Sequence, residues 1–238
     1  MGSETPRQPG DGQTGTGGSG RKSAPLPGTR TPFVIGLIGG IGSGKSKVAA
    51  VFAARGARVV SGDELAHEAL RQPDIRARIA ERWGKEIFDE RGEVIRSRLA
   101  AVVFSDAAER RALEMMVHPW IRASIRRQVD DARRDAAVRL VVLDAAIMLE
   151  TGWNEICDRL LFVDAPKDER VRRVADQRGW SAQQLETREK AQLPLTAKAA
   201  RADHALDNSG SLDDLGRQVD DLLRQWGLAG DSSLLREK

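Results

Sequence analysis

The 238-residue chain has no tyrosine, five phenylalanines, five tryptophans and a single cysteine, Cys157. One thiol excludes an intramolecular disulfide and any cluster held by several cysteines, and it fits a reducing, cytoplasmic setting. Cys157 itself reads as a small buried hydrophobe. The tryptophans read as ordinary packing residues, with no spacing that suggests a base-stacking platform. Charge of one sign is scarce as well. The 38 basic and 35 acidic residues leave a formal net charge of +3, whereas a general nucleic-acid binder concentrates its basic residues in a patch. Long hydrophobic runs are also missing. The longest, Leu140 to Leu149, is interrupted by Asp144 and is far too short to span a bilayer. The first residues contain no apolar core of the secretory type. The expectation is a cytoplasmic protein with neither membrane nor nucleic-acid partner, a monomer or small homo-oligomer.

What is present suffices for one sizeable core, since 40% of the residues are hydrophobic, an ordinary globular fraction. Residues 1–31 are rich in Gly, Ser, Thr and Pro, and Leu26 is their only large aliphatic side chain after Met1. Such a stretch cannot bury enough apolar surface to offset its ordering entropy, so a disordered tail is expected there. Residues 32–228 are expected to form one domain, followed by a flexible end over 229–238.

Phe33 to Ile38 is a nearly unbroken apolar run, the pattern of a strand buried on both faces of a parallel sheet. A helix over Lys45–Ala54 and a strand over Ala57–Val60 follow. From Asp63 to about Arg134 the pattern is mainly helical, with Pro73, Gly84, Gly92 and the His118-Pro119 pair as breaks. Val138–Leu143, Arg159–Val163 and His204–Leu206 read as further strands. Helices are expected between Lys167 and Ala202 and over Ser211–Trp226. Alternation of strands and helices predicts a three-layer α/β fold on a five-stranded parallel sheet.

Between the first strand and its helix, Gly39-Gly40-Ile41-Gly42-Ser43-Gly44-Lys45-Ser46 matches G-x-x-x-x-G-K-[ST] in full and in the strand–helix context that motif requires. Glycines let the backbone wrap an anion so that successive N–H groups converge on it. The helix opening near Gly44 adds its positive end. Lys45 is suited to the β- and γ-phosphates of a nucleotide, and the Ser46 hydroxyl to a Mg²⁺ ion. Gly40, Ile41, Gly42, Ser43, Gly44, Lys45 and Ser46 are therefore the candidate ATP-binding residues, with Ser46 the metal ligand.

A phosphate loop alone leaves kinases, GTPases, motors and regulatory modules open. No N-K-x-D segment reads guanine. Asp63 follows the second strand, where open α/β sheets build their sites. It is placed to orient and deprotonate an acceptor hydroxyl or to hold Mg²⁺ through water, and it would also serve as a helix N-cap. An ATP-binding sensor that signals through a partner is the alternative from another class.

The series of motifs resembles that of the dephospho-CoA kinase family. The loop from Ile38 to Ser46 is similar to the family's, and Asp63 falls where the family has a carboxylate. Arg91 to Arg96 resembles its D-G-x-L-x-R turn, Leu113 to Trp120 its L-x-x-x-x-H-P segment, and Val141 to Glu150 its hydrophobic strand ending in Glu. Arg188, Gln192, Pro194 and Lys198 keep the R-x-x-x-Q-x-P-x-x-x-K spacing. Ala202-Asp203 and Leu206 to Gly210 match its final block. The resemblance covers nearly all of Phe33 to Trp226.

It implies transfer of phosphate from Mg-ATP to the ribose 3′-hydroxyl of dephospho-CoA, giving coenzyme A and ADP. A P-loop kinase with another small acceptor, such as a nucleoside monophosphate, is the near alternative. It further implies a helical acceptor-binding region over about 64–134, a mobile lid over about 178–198, and Asn208 near the adenine of ATP, where a plain Asp-Asn turn is the other reading. Lid arginines would stabilise the moving phosphoryl group; Arg173, Arg178 and Arg188 are candidates, with Arg178 first. Catalysis would thus rest on Lys45, Asp63 and Arg178.

Departures are few. Lys47 and Ile38 stand where the family has Thr, Ser61 where it has the first Asp of a pair, Arg91 for Asp and Ala146 for Pro. Asp144, ending the third strand, is a further candidate for Mg²⁺ through water. His118 reads as a structural histidine near a helix end or an acceptor contact, and Trp153 and Trp180 as packing residues or site lining.

Overall fold

A computed structural model describes residues 32–228; the tail expected over 1–31 and the end expected over 229–238 lie outside the described residues. Five strands form one parallel sheet: β1 (Phe33–Gly39), β2 (Arg58–Ser61), β3 (Leu140–Asp144), β4 (Arg159–Asp164) and β5 (His204–Asp207), in the order β2-β3-β1-β4-β5. Every neighbouring pair is parallel, as the strand–helix alternation predicted. Boundaries differ by one or two residues, as hydrophobic patterns locate element ends poorly.

The apolar run of β1 is continuous because each face meets a separate core. Phe33, Ile35 and Leu37 pack with Val48 and Phe52 of α1 (Lys45–Ala53) and with Leu215, Val219, Leu222 and Leu223 of α9 (Leu212–Gln225). Val34 and Ile38 join the opposite core, built on α2 (Gly62–Ala69), α3 (Pro73–Trp83), α4 (Arg96–Ser105) and α5 (Ala107–Arg134). Gly36 faces that second core, where an added Cβ would stand 2.5 Å from Met148 Sδ and 2.8 Å from Cys157 Sγ. The missing side chain is what admits both sulfurs, and Cys157 is buried.

The expected break at His118-Pro119 is absent. Pro119 lies inside α5, a 28-residue helix about 42 Å long at 1.5 Å per residue. Proline removes one backbone donor there. The loss is tolerated because Val117, Ile121, Ile125 and Val129 are buried on one face, whereas Met115, whose carbonyl loses that donor, is 69% exposed. Packing of the apolar face outweighs a local preference of about 3 kcal/mol. No described helix is long and apolar enough to cross a membrane.

Beyond β4 the chain forms α6 (Lys167–Arg178), α7 (Ala182–Glu189) and α8 (Leu195–Ala199). Their contacts with the loop after β1 and with the segment after β3 also shape the site.

Candidate active site

Strand register gathers the site. Leu37 of β1 and Ser61 of β2 both pair with Asp144 of β3, so the loop after β1, the turn after β2 and the end of β3 converge on one edge. That edge, at the point where strand order reverses around β1, is where open parallel sheets bind ligands.

The phosphate loop closes as the motif requires. Ser43 N–H donates to Gly40 O at 3.2 Å, and Gly44, at φ 88° and ψ 31°, precedes the first turn of α1. Gly44 is confined by more than its dihedral angle: a Cβ there would fall 2.2 Å from Asn208 Nδ2. Asn208 is buried, and its Nδ2 donates to Ser43 O at 2.7 Å. The residue is thus a brace beneath the loop rather than a plain turn residue, and its Oδ1 has no partner among the described residues.

Two arginines of α6 complete that brace. Arg173 donates to Asn208 O at 2.6 Å and to Ser43 O at 3.3 Å, with Glu169 at 2.5 Å as counter-ion. It was a candidate for the moving phosphoryl group, but its guanidinium is committed to the loop backbone. Arg170 was missed by sequence reasoning. It is 5% exposed, bonds Glu189 of α7 and reaches Ile41 O at 3.4 Å. Nothing in a charge-rich helix distinguishes this arginine from its solvated neighbours; only the packing of α6 on the loop does.

Lys45 is 9% exposed and folds back on the loop, donating to Gly40 O at 2.9 Å and Gly39 O at 3.4 Å. Burial lowers its pKa from the usual 10.5 to about 8; Asp144 and Asp63 oppose the shift, and Lys198 and Arg178 add to it. Anionic phosphate is the partner that such a cation lacks.

Ser46 Oγ donates to Asp144 Oδ2 at 2.7 Å. Burial pushes the Asp144 carboxyl above its ordinary range, against the Ser46 hydrogen bond and the Lys45 charge. A hydroxyl and a carboxylate this close are hard oxygen donors of the type Mg²⁺ takes, and the ion commonly completes its shell with water and substrate phosphates. Ser46 and Asp144 therefore fit the metal that the loop implies.

Asp63 is not the N-cap of α2. Ser61 is: its Oγ accepts from Glu64 N–H at 3.2 Å. The serine at the family's first aspartate position has taken over capping, and Asp63 sits in the first helical turn, exposed. It has no hydrogen bond or ion pair among the described residues, yet it is near enough to affect both Lys45 and Asp144. An unengaged carboxylate at the edge of a phosphate site is suited to accept a proton.

Lys198, on α8, is 1% exposed and bonds Gln192 Oε1 at 2.9 Å and Glu150 Oε1 at 3.0 Å. Glu150 also accepts from Leu193 N–H at 2.9 Å. The Q-x-P-x-x-x-K spacing is thus a buried clamp joining the α7–α8 connection to the segment after β3. Arg178 ends α6, and Arg188 lies on α7. His118 is within α5 rather than near a helix end; its ring meets Trp153 edge-on at 5.6 Å. Trp153 is buried, and both rings line an open cleft of about 630 Å³ with Arg111, Met115 and Arg122.

Phosphate loop, hydroxyl–carboxylate pair and parallel sheet together define an α/β fold of the P-loop kinase type. Comparison with known proteins narrows this. A sequence model described as dephospho-CoA kinase matches residues 33–214. The dephospho-CoA kinase of Syntrophotalea carbinolica is 40% identical over 189 residues, 79% of this chain and 89% of that protein. That of Bacillus licheniformis is 38% identical over 195 residues, covering 82% and 96%. Among solved structures, TT1252 from Thermus thermophilus aligns with a TM-score of 0.68 at 36% identity, over 82% of this chain and 97% of that one. Dephospho-CoA kinase from Campylobacter jejuni shares the fold, with a TM-score of 0.59 at 18% identity over 82% and 98%. The chain belongs to the dephospho-CoA kinase family.

Proposed function

We propose that this chain transfers the γ-phosphoryl group of ATP to the ribose 3′-hydroxyl of dephospho-CoA, releasing ADP and coenzyme A in the last step of coenzyme A synthesis. One observation carries the mechanism: an unengaged Asp63 beside a complete phosphate loop, in a chain of this family. The loop amides and Lys45 hold the triphosphate. Asp63 accepts the proton of the 3′-hydroxyl as its oxygen bonds to the γ-phosphorus and the bond to the β-bridging oxygen breaks. Ser46 and Asp144 would hold Mg²⁺, which when bound neutralises charge on the β- and γ-phosphates. Arg178 stabilises charge on the moving group. Asn208, near the adenine by the family resemblance, supports the nucleotide site from beneath the loop.

The helical region over 64–134 is the proposed acceptor side, and the cleft along α5 suits it. Arg111 and Arg122 match the acceptor's diphosphate, and Met115 and Trp153 its apolar arm. The segment over 178–198 is the proposed lid, closing to exclude water. A cytoplasmic location follows from this role.

The test is ADP release by purified protein with Mg-ATP, comparing dephospho-CoA with AMP, CMP, shikimate and gluconate. Turnover confined to dephospho-CoA supports the proposal. Turnover on another acceptor retains a kinase and refutes the substrate, and tight ATP binding with no turnover on any acceptor refutes the enzyme.

A further inference from the structure

Three residues, Gly179, Trp180 and Ser181, form the corner between α6 and α7. Gly179, at φ 66° and ψ 22°, closes α6; its N–H donates to Ala175 O at 2.9 Å and that of Trp180 to Val174 O at 3.4 Å. The Gly179 bond, four residues back from a left-handed residue, is an αL closure. Immediately after Trp180, Ser181 opens α7 with a capping box, its Oγ accepting from Gln184 N–H while Gln184 Oε1 accepts from Ser181 N–H. The backbone of Trp180 is therefore set from both sides.

Two cations meet on its ring. The Arg178 guanidinium carbon lies 4.9 Å from the ring centroid and that of Arg188 4.0 Å. Burial, then the Arg178 charge, holds Arg188 below its ordinary pKa, so the aromatic surface gathers two like charges that repel each other. Arg178 has no carboxylate partner among the described residues. Its place along α6 is equally determined, because Arg170 and Val174 pack on the phosphate loop and Arg178 follows at the same four-residue interval. Its charge is felt at Lys45.

We propose that Trp180 is a positioning residue that holds Arg178 ready for the phosphoryl group in transfer. For Arg178 the ring replaces a counter-ion: it attracts the guanidinium without neutralising it, so the group remains available to an anion. A carboxylate in its place would have to be displaced whenever ATP binds. The proposal rests on the kinase reading and on the role given there to Arg178.

The experiment is a double-mutant cycle with wild type, Trp180→Leu, Arg178→Ala and the double variant, alongside Trp180→Phe, all assayed with Mg-ATP and dephospho-CoA. Trp180→Leu should lower kcat about tenfold and change the KM for ATP less than about threefold. Trp180→Phe, which keeps an aromatic face, should stay within about threefold of wild type. In the Arg178→Ala background Trp180→Leu should cost nothing further, since its effect passes through the arginine. Additive losses, or equal losses in Leu and Phe variants, overturn the proposal. A normal rate for Arg178→Ala would instead remove the role of Arg178, a distinguishable result. Independently of any variant, the side-chain Nε–H signals of Arg178 and Arg188 in wild-type protein should show ring-current shifts in NMR spectra. Their absence also overturns the proposal.

Discussion

Raising the pH should discharge Lys45 before other lysines and make ATP binding take up protons. In the free protein its pKa is lowered from 10.5 to about 8, burial being the main cause. That gap corresponds to about 3 kcal/mol against the charged form. The sign follows from linkage. Below pH 8 the folded protein bears the full cost of a buried ammonium; between about 8 and 10.5 the unfolded chain binds more protons, so folding stability from this group rises with pH. Bound phosphate reverses the balance, because an anion beside Lys45 favours its charged form. At pH 8.5 roughly three quarters of the free protein would carry neutral Lys45, so each ATP bound should take up about 0.75 proton. Isothermal titration calorimetry in buffers of differing ionisation enthalpy measures this uptake, since ATP phosphates are already fully ionised there. The Lys45→Met variant should bind ATP weakly and take up none. The profile of kcat/KM should fall above about pH 8, while that of kcat should fall at higher pH. A buffer-independent binding enthalpy at pH 8.5, or uptake that persists in Lys45→Met, would refute the reasoning.

Four further outcomes are expected. Asp63→Asn should bind ATP normally and lose about 10²- to 10⁴-fold in kcat, measured by coupled ADP release. Asp144→Asn removes the acceptor of the Ser46 hydroxyl; it should raise the Mg²⁺ concentration at half-maximal rate and, by removing the charge that most raises the Lys45 pKa, move the basic limb of kcat/KM to lower pH. Lys198→Met leaves Glu150 without its cation and should lower the free energy of unfolding by about 3 kcal/mol in urea titration, partly restored in Lys198→Met with Glu150→Gln. Gly44→Ala imposes a left-handed conformation on a side chain, costing about 1–2 kcal/mol, and drives its Cβ into Asn208; both melting temperature and ATP affinity should fall.

Much of the site was legible because its chemistry is local. The eight residues from Gly39 to Ser46 contain the whole phosphate loop, and Asp63 lies a short step beyond the next strand. Where the reading failed, a distant element intervened. Pro119 reads as a break only while the buried face of α5 is unknown, and Asp63 reads as a cap only while Ser61 is passed over. Arg173 reads as a catalytic arginine until Asn208 and Ser43, 35 and 130 residues away, claim its donors.

By itself the sequence determined the five strands, the parallel α/β class, the phosphate loop and the family, because periodicity, glycine spacing and motif order are properties of neighbours along the chain. Only tertiary structure decided which charges are buried and which are unengaged. It set Arg170 and Lys198 as clamps and Asp144 as the partner of Ser46. It also left Asp63 open and brought Arg178 and Arg188 to one tryptophan. Those assignments depend on desolvation and on contacts across the fold, and neither is a property of a residue's neighbours in sequence.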